Sequence, residues 1–413
     1  MESVARQDGN GAVDEVLAAL VTPEGSTDPY PLYDRLRAIG PAAAAADGTL
    51  VVSGYEACSA VLRDRRLRKA PERVLTAAGH QDWMERPSLR LMFGSILLLN
   101  PPVHTRLRRL VSAAFTARRV AELRPAVERI VAAACDQLAG DSDLAGGSDF
   151  VAGFAFPVPV NVIGELLGIP AADRPQFQQL VTAWAQVLEI LSPLAVERAD
   201  EAATAITDYL ADLAAERRAR PAGDLISAMT EAAGDDRLTG EELVTMAALL
   251  LAAGFETTTG LLSNGLVALL AHPGEAARLR AEPELAEPAA EELLRYDSPV
   301  QILFGRSAPE ALEIGGLPLA AGQRVTTLLG AANRDPAAFS EPDRLILDRT
   351  GPPPLSFGGG IHYCLGAPLA RVEAQVAFPA LLTRFPRLAL AGPPVPRPGI
   401  ALHGHAHLPV STR

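Results

Sequence analysis

A mainly helical fold with small β-sheets follows from three observations in the sequence. Alanine, leucine, glutamate and arginine are abundant among the 413 residues, and all four favour helix. Apolar residues recur at helical spacing over most of the chain. Strand-like alternation is confined to short stretches bounded by glycine, at Thr49–Gly54, Leu312–Gly330 and Gly399–Thr412. An apolar share of 48% with 21% charged residues describes an ordered globular chain, long enough to bury a large core.

Residues 1–27 are read as a flexible N-terminal segment. DPYPLYDRLRAIGP, from Asp28, predicts a turn and an amphipathic helix that stops at Gly40-Pro41. TLVVSG predicts a strand, and YEACSAVLRD returns to helical spacing with Cys58 as a small packed hydrophobe. From Lys69 to Asn100 no clean period survives Gly79, Pro87 and Gly94, so this region is read as loop-rich cover for a pocket. PPVHTRLRRLVSAAF opens a helix at its proline pair, and ELRPAVERIVAAACDQLAG is a longer one in which Cys135 packs. From Phe154 to Arg220 the helical pattern is broken by Pro157, Pro159, Pro170, Pro175 and Pro193.

The clearest helix begins at Thr239, where Thr-Gly-Glu-Glu fits a capping box, and runs to about Leu270. It would be more than about 40 Å long and is apolar nearly all round, which predicts burial. PELAEPAAEELLRYDSP gives a further helix ending near Pro299. No linker or repeat divides the chain, so residues 1–413 are read as one domain.

Composition also excludes function classes. A net charge of −12 argues against nonspecific nucleic-acid binding, which needs excess Lys and Arg. Cys58, Cys135 and Cys364 lie far apart without a CxxC pair, so neither a disulfide framework nor a structural zinc site is indicated. MESVARQDGNGAVDE lacks the pattern of a signal peptide, and no uninterrupted apolar run reaches about 18 residues. The expectation is a cytoplasmic protein without a membrane span.

Four groups of residues carry chemistry. AAGFETTTG, Ala252–Gly260, puts the carboxyl of Glu256 into an apolar helix, where it must be paired, solvated or protonated. Thr257 and Thr258 can bond back to the preceding turn, and Gly254 removes bulk. The stretch reads either as a polar site delivering protons or as simple relief of helix crowding. Glu292 and Arg295 share a helix face three residues apart, a spacing that alone describes an ordinary ion pair. His104 and Arg108 lie four apart, and with Arg306 and His362 they can clamp carboxylates of an anionic group. SFGGGIHYCLG surrounds Cys364 with four glycines ahead of a helix, which favours a thiolate. That sulfur suits either a nucleophile or an axial metal ligand.

FGGGIHYCLG, Phe357–Gly366, resembles the haem-binding loop of the cytochrome P450 superfamily, F-G-x-G-x-H/R-x-C-x-G, at every fixed position. AGFETT resembles its oxygen-activating helix motif, and Glu292/Arg295 its ExxR pair. HTRLR, the segment 332–336 and PDRLILDR at 342–349 are similar to bacterial members. The resemblance runs in order from about Asp28 almost to the C-terminus.

The resemblance implies the cytochrome P450 fold with a haem b cofactor, and Cys364 as axial ligand of its iron. It implies Phe357 packed near the haem, Gly358, Gly360 and Gly366 permitting close approach, and His104, Arg108, Arg306 and His362 as propionate partners. Glu292 and Arg295 become structural, held with the Asn333-Arg334 and Arg349 region. Thr257 and Glu256 become the alcohol–acid pair that relays protons to dioxygen. The implied reaction is insertion of one oxygen atom into a lipophilic small molecule, by hydroxylation or epoxidation, in secondary metabolism such as antibiotic biosynthesis. Electrons come from a separate ferredoxin and ferredoxin reductase, with Arg106, Arg109, Arg118, Arg119 and Arg371 as candidates for a docking surface. A carrier-protein-bound substrate is among the options.

The alternatives are a hydrogen-peroxide-dependent peroxygenase and a haem-containing binding protein; a thiol hydrolase leaves the other motifs unexplained. Asn100 and Leu345 depart from common residues of bacterial members without touching the implied chemistry, and Phe255, where histidine is frequent, adds bulk and removes a polar handle near the oxygen site without implying an altered reaction. Pocket walls are expected from Leu75–Leu99, Leu167–Val196, Leu249, Ala252, Ala253, Pro299–Phe304 and Leu402–Gly404. His403, His405 and His407 alternate in a strand-like tail, read as surface or pocket edge rather than a metal site.

Overall fold

The computed structural model describes residues 2–141, 148–189, 196–231 and 237–413. Two compact units form: Met1–Ala70, Gly260–Cys364 and Gly392–Leu408 make one, and Pro71–Thr259, Leu365–Ala391 and Pro409–Arg413 the other. The first is called here the sheet unit and the second the helical unit.

The sheet unit is built on five strands in the order Ala42–Ala44, Leu50–Val52, Arg324–Leu328, Ile302–Ser307, Arg68–Lys69. Leu50–Val52 pairs in parallel with Arg324–Leu328, with Leu50 opposite Val325, and the other neighbours are antiparallel. Side chains alternate across the strand Leu50–Val52. Leu50 and Val52 join a core with Cys58, Val61, Leu62, Val325 and Leu355, while Val51 faces a second core with Tyr33, Leu36, Ile302 and Leu328. The helix Tyr55–Arg63 covers the first core, and Cys58 is fully buried there, its Sγ 3.2 Å from the Val52 carbonyl. Burial pushes that thiol well up.

The N-terminal segment departs from the reading of 1–27 as flexible. A helix spans Glu2–Leu20 and a short one Pro23–Thr27, and Val13, Val16 and Leu20 are buried in the second core. Three apolar side chains at helical spacing anchor this part to the sheet. The hairpin Leu312–Ile314/Leu317–Leu319 turns through Gly315 and Gly316, both with positive φ.

In the helical unit, Ala117–Asp141 packs against Ala367–Arg384, and Phe177–Ala185 against Val196–Ala219. A three-stranded sheet places Pro409–Ser411 between Ser148–Asp149 and Ala389–Leu390. The stretch Lys69–Asn100, expected as loop, holds the short helices Pro71–Ala77 and Pro87–Phe93. Two turns are too short to impose a visible period. The prolines of the broken region start or interrupt helices at Pro157–Leu167 and Ala171–Gln176, and Pro193 lies outside the described residues.

The long helix spans Gly240–Ala271, contributing Gly240–Thr259 to the helical unit and the remainder to the sheet unit. Its capping box forms: Thr239 N–H donates to Glu242 Oε2 at 2.9 Å, and Glu242 N–H to Thr239 Oγ1 at 3.1 Å. The helix is long and apolar enough to cross a membrane, yet 61% of its most apolar window is buried in the protein, as a core helix requires.

Candidate functional site

In the sheet unit, the cysteine loop begins where Leu355 and Ser356 are tied down from behind. Asn333 Nδ2 donates to Ser356 Oγ at 2.8 Å and Ser298 Oγ at 2.7 Å, while its Oδ1 accepts from Leu355 N–H at 2.7 Å. The chain then turns through Gly358 and Gly360, with φ of 69° and 65°, conformations that favour glycine. At Gly360 a Cβ would also stand 2.6 Å from the Leu62 carbonyl oxygen, so the loop lies directly on the helix Tyr55–Arg63. Cys364 N–H donates to the Phe357 carbonyl at 3.0 Å, closing the loop, and the Phe357 ring meets Tyr363 edge-on at 6.3 Å. Cys364 is exposed, whereas Cys58 and Cys135 are buried. Burial lifts the Cys135 thiol to about 11, an inert setting, consistent with its reading as packing.

Arg306 lies in the strand Ile302–Ser307, directly opposite Lys69 of the edge strand. Both are buried. Burial and the neighbouring guanidinium push the Lys69 ammonium down to about 7, and burial pushes Arg306 down to about 10. Arg306 Nη1 reaches the Val61 carbonyl at 3.4 Å, but its buried Nε has no hydrogen-bond partner. Lys69 escaped the sequence reading. Its strand partner lies 237 positions away in number, and nothing local in RRLRK marks a buried cation.

The base of this unit is the Glu292–Arg295 pair, both 2% exposed at the side chain. Arg295 Nε and Nη2 grip the two carboxylate oxygens at 2.7 and 2.8 Å. Arg349 Nε bonds both oxygens at 3.1 Å, and Ile346 N–H adds a donor at 2.9 Å. Arg295 also donates to the carbonyls of Asn333, Pro342 and Arg344. The carboxylate is thus fully paired, a scaffold and not a general acid.

In the helical unit, His104 and Arg108 lie four residues apart on the helix Val103–Ala114, with His104 buried and Arg108 half-buried. The long helix carries the other candidate residues, Glu256 and Thr257. A Cβ at Gly254 would stand 2.8 Å from Ile163 Cγ1, so glycine does relieve crowding there. Thr257 Oγ1 donates to the Ala253 carbonyl at 3.0 Å, the back-bond expected of a helical threonine. Glu256, half-buried on the same turn, accepts from Thr182 Oγ1 at 2.9 Å. Glu256 and Thr257 are therefore brought together with polar partners, while Leu249, Ala252 and Phe255 are buried. Thr182 was not anticipated, because no periodic signal links residues 182 and 256. Gly366 precedes the helix Ala367–Arg384, whose Glu373 is fully buried and has its carboxyl pushed well up by burial.

His403, of the pocket-edge reading, has Nε2 3.4 Å from Asp297 Oδ1, and His407 is exposed. His405 is depressed to about 4 by burial and by His403. No group of three metal-ligating side chains occurs among the described residues. The expected pocket wall Leu167–Val196 runs partly outside the described residues, at 190–195.

The family model for cytochrome P450 matches residues 45–397. The chain is 39% identical to the cytochrome P450 monooxygenase PikC of Streptomyces venezuelae, over 94% of this chain and 92% of that protein. It is 39% identical to the 6-deoxyerythronolide B hydroxylase of Saccharopolyspora erythraea, covering 87% and 89%. Among solved structures it is similar to P450BioI in complex with a hexadec-9Z-enoic acid-ligated acyl carrier protein, with TM-score 0.86, 35% identity and coverage of 94% and 99%. The family implies a haem-iron cofactor. The residues present fit one: an exposed thiol in a glycine loop, and two buried cations whose depressed basicity an anionic group relieves. With the motif residues, the paired Glu292–Arg295 base and a match over most of its length, the chain belongs to the cytochrome P450 family as a monooxygenase of the bacterial type.

Proposed function

We propose that this protein hydroxylates or epoxidises a lipophilic small molecule of secondary metabolism, taking one atom from dioxygen and electrons from a separate ferredoxin and its reductase. Cys364 would hold the iron of a haem b through its sulfur, with Phe357 and Gly366 shaping the approach. Arg306, His104, Arg108 and His362 would hold its propionates, joined by Lys69. When bound, the haem supplies dioxygen binding and the oxidising equivalent. Everything else falls to the chain.

The observation that carries this reading is the acid–alcohol pair in the long helix. Thr257 donates its hydroxyl hydrogen to Ala253 O, which orients its lone pairs away from that carbonyl and suits it to accept a proton donor. Glu256, on the same turn, is an ionisable group within an otherwise apolar stretch and suits proton delivery. Activation of dioxygen requires two protons to be delivered, whereas hydrogen peroxide brings its own, so a relay favours dioxygen as the oxidant. The buried Leu249 and Ala252 suit a lipophilic substrate. Relatives named for polyketide biosynthesis and as a mycinamicin IV hydroxylase/epoxidase support secondary metabolism, and the neighbour in complex with an acyl carrier protein supports a substrate delivered on such a carrier. A cytoplasmic location accords with the bacterial cytochrome P450 relatives.

The test is an optical titration of the haem-loaded protein with lipophilic natural products, free and tethered to acyl carrier protein. A shift of the ferric haem toward high spin, followed by a product carrying one oxygen from labelled dioxygen, is the expected result. Product labelled only from peroxide, with dioxygen and ferredoxin inert, would overturn the dioxygen reading.

A further inference from the structure

The hydrogen bond to Glu256 comes from an element that is itself firmly held. Thr182 lies on the helix Phe177–Ala185, where Phe177, Val181, Trp184 and Ala185 are buried. Trp184 Nε1 donates to the Ser88 carbonyl at 3.0 Å. Ser88 is fixed in turn by Asp200, whose Oδ1 accepts from its N–H at 2.9 Å and its hydroxyl at 2.6 Å. Thr182 is two residues from Trp184, roughly 200° around the helix, and so projects from the opposite face. There it is exposed and meets Glu256.

From this geometry we infer that Thr182 is a positioning residue for the proton relay: it fixes the Glu256 carboxyl from the neighbouring helix. The inference rests on the reading of Glu256 as the acid of that relay. A glutamate has three side-chain torsions, and leaving them free spreads its carboxyl over many positions. Threonine is branched at Cβ and has few rotamers, so its hydroxyl is a stiff donor. The buried face set by Trp184, Ser88 and Asp200 gives that donor a fixed origin. Sequence spacing on the long helix alone supplies no such constraint. A relay works when the carboxyl is held within reach of the group that it serves, and loss of position costs rate even when the acid remains.

Four holoproteins test this: Thr182→Val, which keeps shape and removes the donor; Thr182→Ser, which keeps the donor; Glu256→Ala; and Thr182→Val combined with Glu256→Ala. Each is supplied with NADPH, spinach ferredoxin and ferredoxin reductase, without added substrate. The ratio of hydrogen peroxide to water formed from dioxygen is read from the electrons consumed. Peroxide takes two electrons and two protons per dioxygen, and full reduction to two waters takes four of each, so poor proton delivery raises the ratio.

Glu256→Ala is expected to raise the ratio by about 100-fold, the low end of the scale of a lost acid–base group, and Thr182→Val by about threefold or more, the scale of one lost hydrogen bond. Thr182→Ser should return within about twofold of the parent, and the double variant should match Glu256→Ala alone, because residues acting as one unit are not additive. Thermal unfolding gives a readout apart from turnover: Thr182→Val lowers Tm in the parent and leaves it unchanged in the Glu256→Ala background. A Thr182→Val ratio equal to the parent's while Glu256→Ala raises it overturns the inference and leaves the relay standing. So do independent, multiplying effects of the two changes, or a Thr182→Ser protein as impaired as Thr182→Val. If Glu256→Ala itself leaves the ratio unchanged, the reading of Glu256 falls first.

Discussion

The ammonium of Lys69 faces the guanidinium of Arg306 across a strand pair, and both are shielded from water. An unfolded lysine titrates near 10.4, but burial and Arg306 depress Lys69 to about 7 in the fold. Between those values the unfolded chain holds more protons, so the Lys69 contribution to stability improves as pH rises from about 7 toward 10. Lys69→Met is therefore expected to stabilise the haem-free protein at neutral pH and to flatten that rise, as denaturation at pH 7 and 9 measures. The same change removes one charge-assisted contact to an anionic cofactor and should speed haem transfer to apomyoglobin by about tenfold or more. Unchanged transfer would separate Lys69 from the cofactor. Neither this pair nor Thr182 was legible in the sequence, since each depends on a partner distant in the chain. Cys364, Glu256 and Thr257 stand out as candidates in the sequence because their local neighbours carry the signal: glycines in one case, an apolar helix in the other.

At the scale of elements, the carboxylate of Glu292 is a hub between Arg295, Arg349 and the backbone at Ile346. Glu292→Gln leaves two buried guanidinium groups short of their charge, a loss of about 3–5 kcal/mol by the usual cost of breaking a buried pair. Little folded, haem-loaded protein should be recovered, and wild-type yield and Tm would contradict the account. Glu373, within the helix Ala367–Arg384, behaves oppositely. Its carboxyl is pushed well up, so its stabilising protonated state is fully present below about 4.3 and is lost as pH rises through the folded value. Glu373→Gln should gain stability relative to the parent as pH increases above about 4.3, a trend that unfolding midpoints across pH will show or refute. Long elements such as Gly240–Ala271 were legible through a capping box and sustained period. The helices Pro71–Ala77 and Pro87–Phe93 were not, because two turns bounded by proline and glycine look like loop. The anchored N-terminal helix was missed for another reason: GNGA at residues 9–12 weakens its helical signal, while burial of Val13, Val16 and Leu20 against the sheet unit's second core supplies the stability.

At the scale of the whole molecule, membership of the cytochrome P450 family joins what each unit carries separately: the thiol loop and its buried cations in one, the acid–alcohol helix in the other. The sequence displayed these as separate motifs, and ordering along the chain was what tied them together. The central claim is that the exposed Cys364 sulfur serves as the ligand of a haem iron. The most direct measurement is the difference spectrum of the reduced, carbon monoxide-treated protein at full haem loading, beside Cys364→Ser. The account predicts the red-shifted, thiolate-type band in the parent and its loss in the variant. A histidine-type band in the intact, loaded parent, or a thiolate-type band that persists in Cys364→Ser, would contradict it.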